Sequence, residues 1–312
     1  MKKYVVVFFI IGFSSCTNEK LDDIKRAKVV FEKVDLHTNA ELTDISFINE
    51  NQGVICGSLG YFSKTDDGGA TWKEMNVGVN HTFLSSFLLN ENVCFVARRS
   101  LFRSVNSGLN FNEIGSPNQS SIFSICYRDT NLGFITQGNR ILKTTDGGSD
   151  WIEVYNTNAY YGLSDLQFIN NVGYACGGAD YDNFNAGEIV KSSDHGTSWS
   201  ILVSSVNINA MSFVNENTGF YTNVNREVYK TTDGGNTWVK ISTIDNSPSS
   251  IAFKNERSGF ISTYQGEILM TEDGGLNWDI VYNQTNISIT KIVTSRESVY
   301  AIGNSGLFLR SE

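Results

Sequence analysis

Short apolar, strand-like runs separated by polar turn clusters recur along this chain, and their spacing is regular. Six segments align: YFSKTDDGGATWKEM from Tyr61, LFRSVNSGLNFNEI from Leu101, ILKTTDGGSDWIEV from Ile141, IVKSSDHGTSWSIL from Ile189, VYKTTDGGNTWVKI from Val228 and ILMTEDGGLNWDIV from Ile268. They share Ser/Thr-x-Asp-x-Gly-x-x-Trp between two β-prone runs, which marks a repeat architecture. The central residue falls at Asp67, Asn106, Asp146, Asp194, Asp233 and Asp273, in steps of 39, 40, 48, 39 and 40 residues. All five tryptophans (Trp72, Trp151, Trp199, Trp238 and Trp278) hold one repeat position, and Phe111 fills it in the second unit.

The residue types follow from the turn they must build. A hairpin turning through Asp-x-Gly needs a carboxylate to accept backbone N–H bonds and a glycine to supply positive φ. The Ser or Thr adds a hydroxyl, and the Trp anchors the returning strand against a neighbouring sheet. Each box therefore reads as a structural clasp. Two more strands precede it, as in ISFINENQGVICG from Ile45, SFVNENTGFYTN from Ser212 and IAFKNERSGFIST from Ile251. Four strands in about 40 residues make one propeller blade.

A seventh unit begins at Ile289 but stops at LFLRSE, where its clasp would follow. Phe31-Glu32-Lys33-Val34 matches the outer strands WKEM, FNEI and WIEV. The expectation is an all-β, seven-bladed propeller of four-stranded antiparallel blades over residues 28–312, with the N-terminal strand completing the last blade.

The first residues, MKKYVVVFFIIGFSSC, place two lysines and an apolar run before small residues and Cys16. That is a secretory leader, too short to span a membrane. Phe13-Ser14-Ser15-Cys16 is similar to a bacterial lipobox, which predicts a leader over 1–15, a lipidated Cys16, and a polar tether through residue 27; an ordinary cleaved leader or a membrane stub is the alternative. Acidic Glu19, Asp22 and Asp23 add a weak hint of surface export. The expected location is the bacterial cell envelope, at the outer membrane.

Composition narrows the partners. Charged residues are 18% and Gly is 28 of 312, suiting short strands and many turns, while two prolines leave no room for a Pro-rich linker. Net charge is −9, or −11 once Lys2 and Lys3 leave with the leader, so nucleic acid is excluded as a default partner. Cys56, Cys94, Cys126 and Cys176 each sit in an apolar run, favouring buried thiols over a disulfide framework, with pairing of two of them left open. His37, His81 and His195 are isolated, and Thr65-Asp66-Asp67-Gly68 lacks a calcium ligand ladder, so no metal or cofactor is required.

These boxes resemble the Asp-box propellers, also called bacterial neuraminidase repeats, which include sialidases, xyloglucan hydrolases and sortilin-type receptors. A single seven-bladed domain on an exported chain is most similar to the photosystem II stability and assembly factor family, whose propeller the resemblance implies to be a noncatalytic assembly chaperone using an arginine-bearing face. The sialidase arginine triad and Tyr/Glu pair are not evident, and xyloglucan hydrolases use two propellers.

Three features are candidates for a site. The 48-residue step marks an insertion in blade four, GGADYDNFNAGE from Gly177 to Glu188, which with the preceding link offers Tyr160, Tyr161, Asp180, Tyr181, Asp182 and Phe184 for a sugar or peptide; a solvated loop is the alternative. Arg98, Arg99, Arg140 and Arg226 recur at second-to-third turns and so share one face, where guanidinium groups grip carboxylates unless they are merely solvated. Asp44 and Asp165 hold equivalent inner-strand positions, a weak candidate pair for glycoside hydrolysis; strand-start aspartates also bond nearby backbone. The reading is a noncatalytic, lipid-anchored, monomeric envelope propeller that binds or assembles protein or glycan partners on the insertion-bearing face. A glycoside hydrolase of sialidase-like ancestry is the alternative, and a purely structural module is a third.

Overall fold

In the computed structural model, residues 29–115, 119–157, 162–178, 187–205 and 207–311 are described. The leader, Cys16 and its tether, and Tyr160, Tyr161, Asp180, Tyr181, Asp182 and Phe184, lie outside them. The chain forms seven four-stranded antiparallel sheets arranged as a closed propeller. The inner strands are Leu42–Phe47, Ser85–Leu88, Ile122–Tyr127, Leu163–Ile169, Ile208–Phe213, Pro248–Phe253 and Ile289–Thr294. Every second strand is buried almost throughout, as in GVICG, GFITQ and GFYTN, because both of its faces pack against neighbouring blades.

Closure follows the expected route. Strand β1 (Phe31–Lys33) pairs antiparallel with the last strand of the chain, Phe308–Ser311, in the register Phe31↔Ser311, Glu32↔Arg310 and Lys33↔Leu309. Val34 N–H adds a bond to the Phe308 carbonyl at 3.1 Å. One blade thus contains the first and last strands of the described residues, so the ring cannot open without breaking a sheet.

The clasps hold by local bonds. In blade five, Thr231 Oγ1 donates to Asp233 Oδ1 (2.8 Å) and accepts from Gly235 N–H (2.9 Å), while Asp233 accepts from Thr237 N–H (2.9 Å) and Thr237 Oγ1 (2.7 Å). The same bonds recur at Asp67, Asp194 and Asp273. Asp146 keeps the backbone and Thr144 bonds. In blade two the amide oxygen of Asn106 accepts from Ser104 Oγ and Asn110 N–H, both at 3.0 Å, so the degraded box still closes. Gly234 and Gly235 sit at φ of 70° and 91°, where a Cβ would strain the turn.

These bonds hold the carboxyl groups of Asp233 and Asp273 down to about 2, chiefly through the Thr237 and Asn277 side chains. Asp146 and Asp194 are also lowered by their donors, and at Asp67 desolvation is the largest single influence and raises the carboxyl, but the Thr71 and Thr65 donors together outweigh it. A depressed folded-state pKa means the unfolded chain binds more protons as acid is added. The stabilisation is therefore full above about pH 4 and is lost as pH falls through about 2. We expect the melting temperature to decline across that window, and the paired Asp233→Asn, Asp273→Asn variant to decline less. An acid limb identical to wild type would remove this account.

Adjacent blades meet through aromatic pairs that link a second strand to the next inner strand. Phe95 stacks on Tyr127, Phe134 lies against Phe168, Tyr174 stacks on Phe213, Phe220 on Phe253, and Tyr300 on Phe47 across the closing seam. A cation from the third strand lies over four of these rings: Arg103, Lys143, Lys191 and Lys230, at 5.2–5.7 Å. Each of the four also donates to a turn carbonyl of the next blade. The box tryptophans complete the junctions edge-on, as Trp278 against Phe253 at 6.0 Å and Trp72 against both Phe47 and Phe308.

Candidate partner-binding face and central channel

Strand order gives the ring two faces. The clasp face carries the clasps and the first-to-second turns, which are bonded together, as where Gly234 N–H reaches the Asn217 carbonyl at 2.8 Å. The other, the link face, carries second-to-third turns and the links between blades.

All four predicted arginines lie on the link face. Arg98 and Arg99 are in the second-to-third turn of blade two, and Arg140 opens the third strand of blade three. Arg226 is in the corresponding turn of blade five, at φ 64°. They do not form one continuous patch: the first three sit on adjacent blades, and Arg226 stands two blades on, with blade four between. Arg99 and Arg226 are exposed, and Arg226 Nη1 donates to the Asp245 carbonyl at 2.7 Å. Arg140 is ion-paired with Glu153 at 3.2 Å, and Arg98 lies 3.5 Å from the Thr82 carbonyl.

Two apolar side chains on this face went unread in the sequence. Leu59, in the second-to-third turn of blade one, is 75% exposed, and Tyr264, in that of blade six, is 50% exposed. A lone Leu in a Gly-bounded turn gives no periodic signal. Strand Val172–Gly177 ends and strand Gly187–Ser192 begins on the same face, and residues 179–186 between them lie outside the described residues.

The inner strands enclose a channel of about 970 Å³ whose lining runs from an inner layer near the link face to the first-to-second turns of the clasp face. Asp44 and Asp165 both line it. Their repeat position is held in the other blades by Ser86, Ser124, Ala210, Ser250 and Lys291. Lys291 in blade seven pairs with Asp44 Oδ1, and Asp44 Oδ2 accepts from Ser86 N–H at 2.7 Å. Burial works against the Lys291 ammonium, but Asp44 and Asp165 outweigh it and raise its pKa above the usual lysine range. Burial also raises Asp165, with Lys291 opposing. The repeat gives Lys291 of TKIV the position that Asp44 holds in TDIS, but its pairing with Asp44 joins the two ends of the repeat array and is not a local signal.

Cys56, Cys94, Cys126 and Cys176 are all free, and burial pushes the first three thiols up to about 12. Among the described residues, no three His, Cys, Asp or Glu side chains come together as metal ligands.

Fold, clasps and closing blade define a seven-bladed propeller similar to the photosystem II assembly factors. Residues 24–110 match the family described as Photosynthesis system II assembly factor YCF48. The Photosystem II assembly lipoprotein Ycf48 of Synechococcus sp. (strain CC9902) is 25% identical over 187 residues, 54% of this chain and 53% of that protein. The chain thus spans about half the length of this curated relative. Two solved structures, YCF48 bound to D1 peptide and YCF48 from Cyanidioschyzon merolae, each superpose with a TM-score of 0.75 at 18% identity. Both cover 90% of this chain, and 96% and 98% of their own, which establishes the shared fold.

Proposed function

We propose that this chain is a noncatalytic, lipid-anchored envelope propeller that docks an acidic, extended segment of a protein partner on its link face. The observation that carries the reading is the presentation of exposed Arg99 and Arg226, with exposed Leu59 and Tyr264, on one face of an acidic protein. Guanidinium groups grip carboxylates of a partner, and scattered apolar side chains supply contact area without a large sticky patch. The relatives support a protein rather than a glycan: one is named an assembly lipoprotein, and one was solved with a D1 peptide. The lipobox ending at Cys16 supports anchoring, at the outer membrane in this reading, and Tyr181 and Phe184, between two strands that open on this face, are candidates for further contact with the partner. Glycoside hydrolysis gains nothing from the channel, because Asp44 is held by Lys291 and Ser86 rather than free to act as base or nucleophile.

Reversing Arg99 and Arg226 together to Glu tests the reading. We expect at least a tenfold loss of the partner captured from detergent-solubilised envelopes, the size of one or two charge-assisted bonds. Capture equal to wild type would refute it, as would elution of the partner by free oligosaccharide.

A further inference from the structure

The central channel has a charge polarity along its length that the link-face reading does not use. Its inner layer holds the Asp44 and Asp165 carboxyl groups around the single ammonium of Lys291, so two acidic groups share one cation. Asp44 is engaged from two sides, but among the described residues Asp165 accepts only from backbone N–H groups, those of Leu166 at 3.0 Å and Met211. At the clasp-face end the lining carries Arg128, Lys254 and Arg296 against Glu50. Glu50 is itself occupied, accepting from Ser295 Oγ at 2.6 Å and Glu297 N–H at 3.1 Å. Among the lining residues cations thus outnumber carboxylates at the mouth, with Arg296 4.0 Å from exposed Glu297, Lys254 donating to the Glu297 carbonyl and Arg128 over the Phe168 ring. Between the two layers the inner strands contribute mostly small or polar side chains, Ser46, Cys126, Ser212, Ala252 and Gln167, with Val293 as the apolar member.

We propose that this channel is a second binding site, which takes a short extended peptide with its free N-terminal amine directed at Asp165 and its carboxylate among the cations of the mouth. The dimensions agree. Ser124 on the inner strand Ile122–Tyr127 and Arg128 just beyond its end lie four residues apart, about 13 Å at roughly 3.3 Å per residue. An extended tetrapeptide separates its terminal charges by about the same length. The volume is that of an ordinary small-ligand site, and the small wall residues select small side chains. Such a ligand supplies a second cation to Asp44 and Asp165, which share that of Lys291, and an anion to the lining cations of the mouth, which outnumber Glu50. It enters from the clasp face, away from Arg99 and Arg226.

Calorimetric titration of the whole protein with tetra-alanine tests this, using the N-acetylated and C-amidated forms as controls. We expect saturable one-to-one binding, weakened roughly tenfold by N-acetylation or by Asp165→Asn, each of which deletes a charge-assisted bond. C-amidation or Arg128→Gln should weaken it about fivefold, since the mouth is more open to solvent and shares its charge among three cations. The Arg99→Glu, Arg226→Glu variant should bind as wild type, which separates this site from the link face. Absence of saturable binding at millimolar tetra-alanine would overturn the proposal. So would equal affinity for the three peptides, or unaltered binding by both Asp165→Asn and Arg128→Gln.

Discussion

Phe220→Ala should lower stability by about 3–5 kcal/mol, the usual cost of truncating a buried aromatic side chain. Phe220 is fully buried in the second strand of blade five and stacks on Phe253 of blade six with centroids 3.5 Å apart and planes within 1°. Lys230 lies over the same ring at 5.2 Å, so truncation also removes a cation–π contact. The cost falls on the junction between two blades rather than within one. Chemical denaturation should show a lower midpoint with an unchanged slope, and Phe220→Leu should recover part of the loss. A shift under about 1 kcal/mol for alanine would mean that the aromatic pairs do not bear the junctions.

Removing the closing strand should cost about as much or more. Deleting residues up to Val34 takes away the pairing of β1 with Phe308–Ser311 and the burial of Phe31, whose ring meets Tyr282 edge-on at 6.1 Å. Three or four backbone bonds at about 1 kcal/mol each, plus one or two apolar side chains at about 1.5–3 kcal/mol, bring the loss to roughly 5–10 kcal/mol. It also bares a strand edge, which invites association with other copies. We expect a lower melting temperature together with concentration-dependent oligomers by light scattering. A synthetic peptide of residues 28–36 should reverse both. A truncated chain that stays monomeric and melts as wild type would show that closure is made elsewhere.

The repeat was legible because each clasp is local: Thr231, Asp233, Gly235 and Thr237 complete one another within seven residues, so the turn chemistry is written in consecutive letters. Closure was legible because β1 copies an outer strand whose own blade lacks one. The junctions were not. Phe95 and Tyr127, or Tyr300 and Phe47, are distant in sequence, and an aromatic in a strand does not announce which neighbour it will face. The arginines could be assigned to one face by counting turns, yet not their spacing around the ring or the pairing of Arg140 with Glu153. Lys291 escaped for the same reason as the junctions. Its pairing with Asp44 crosses the closing seam, joining residues 247 apart in the chain.

The propeller as a partner-docking device is tested most directly by placing a photo-crosslinking amino acid at Arg99 on the link face and, separately, at exposed Asn236 in a clasp turn on the other face. The anchored protein is then irradiated in intact envelopes. The account predicts a discrete protein adduct from position 99, competed away by an acidic peptide, and none of comparable yield from position 236. An adduct formed only from position 236 would contradict it.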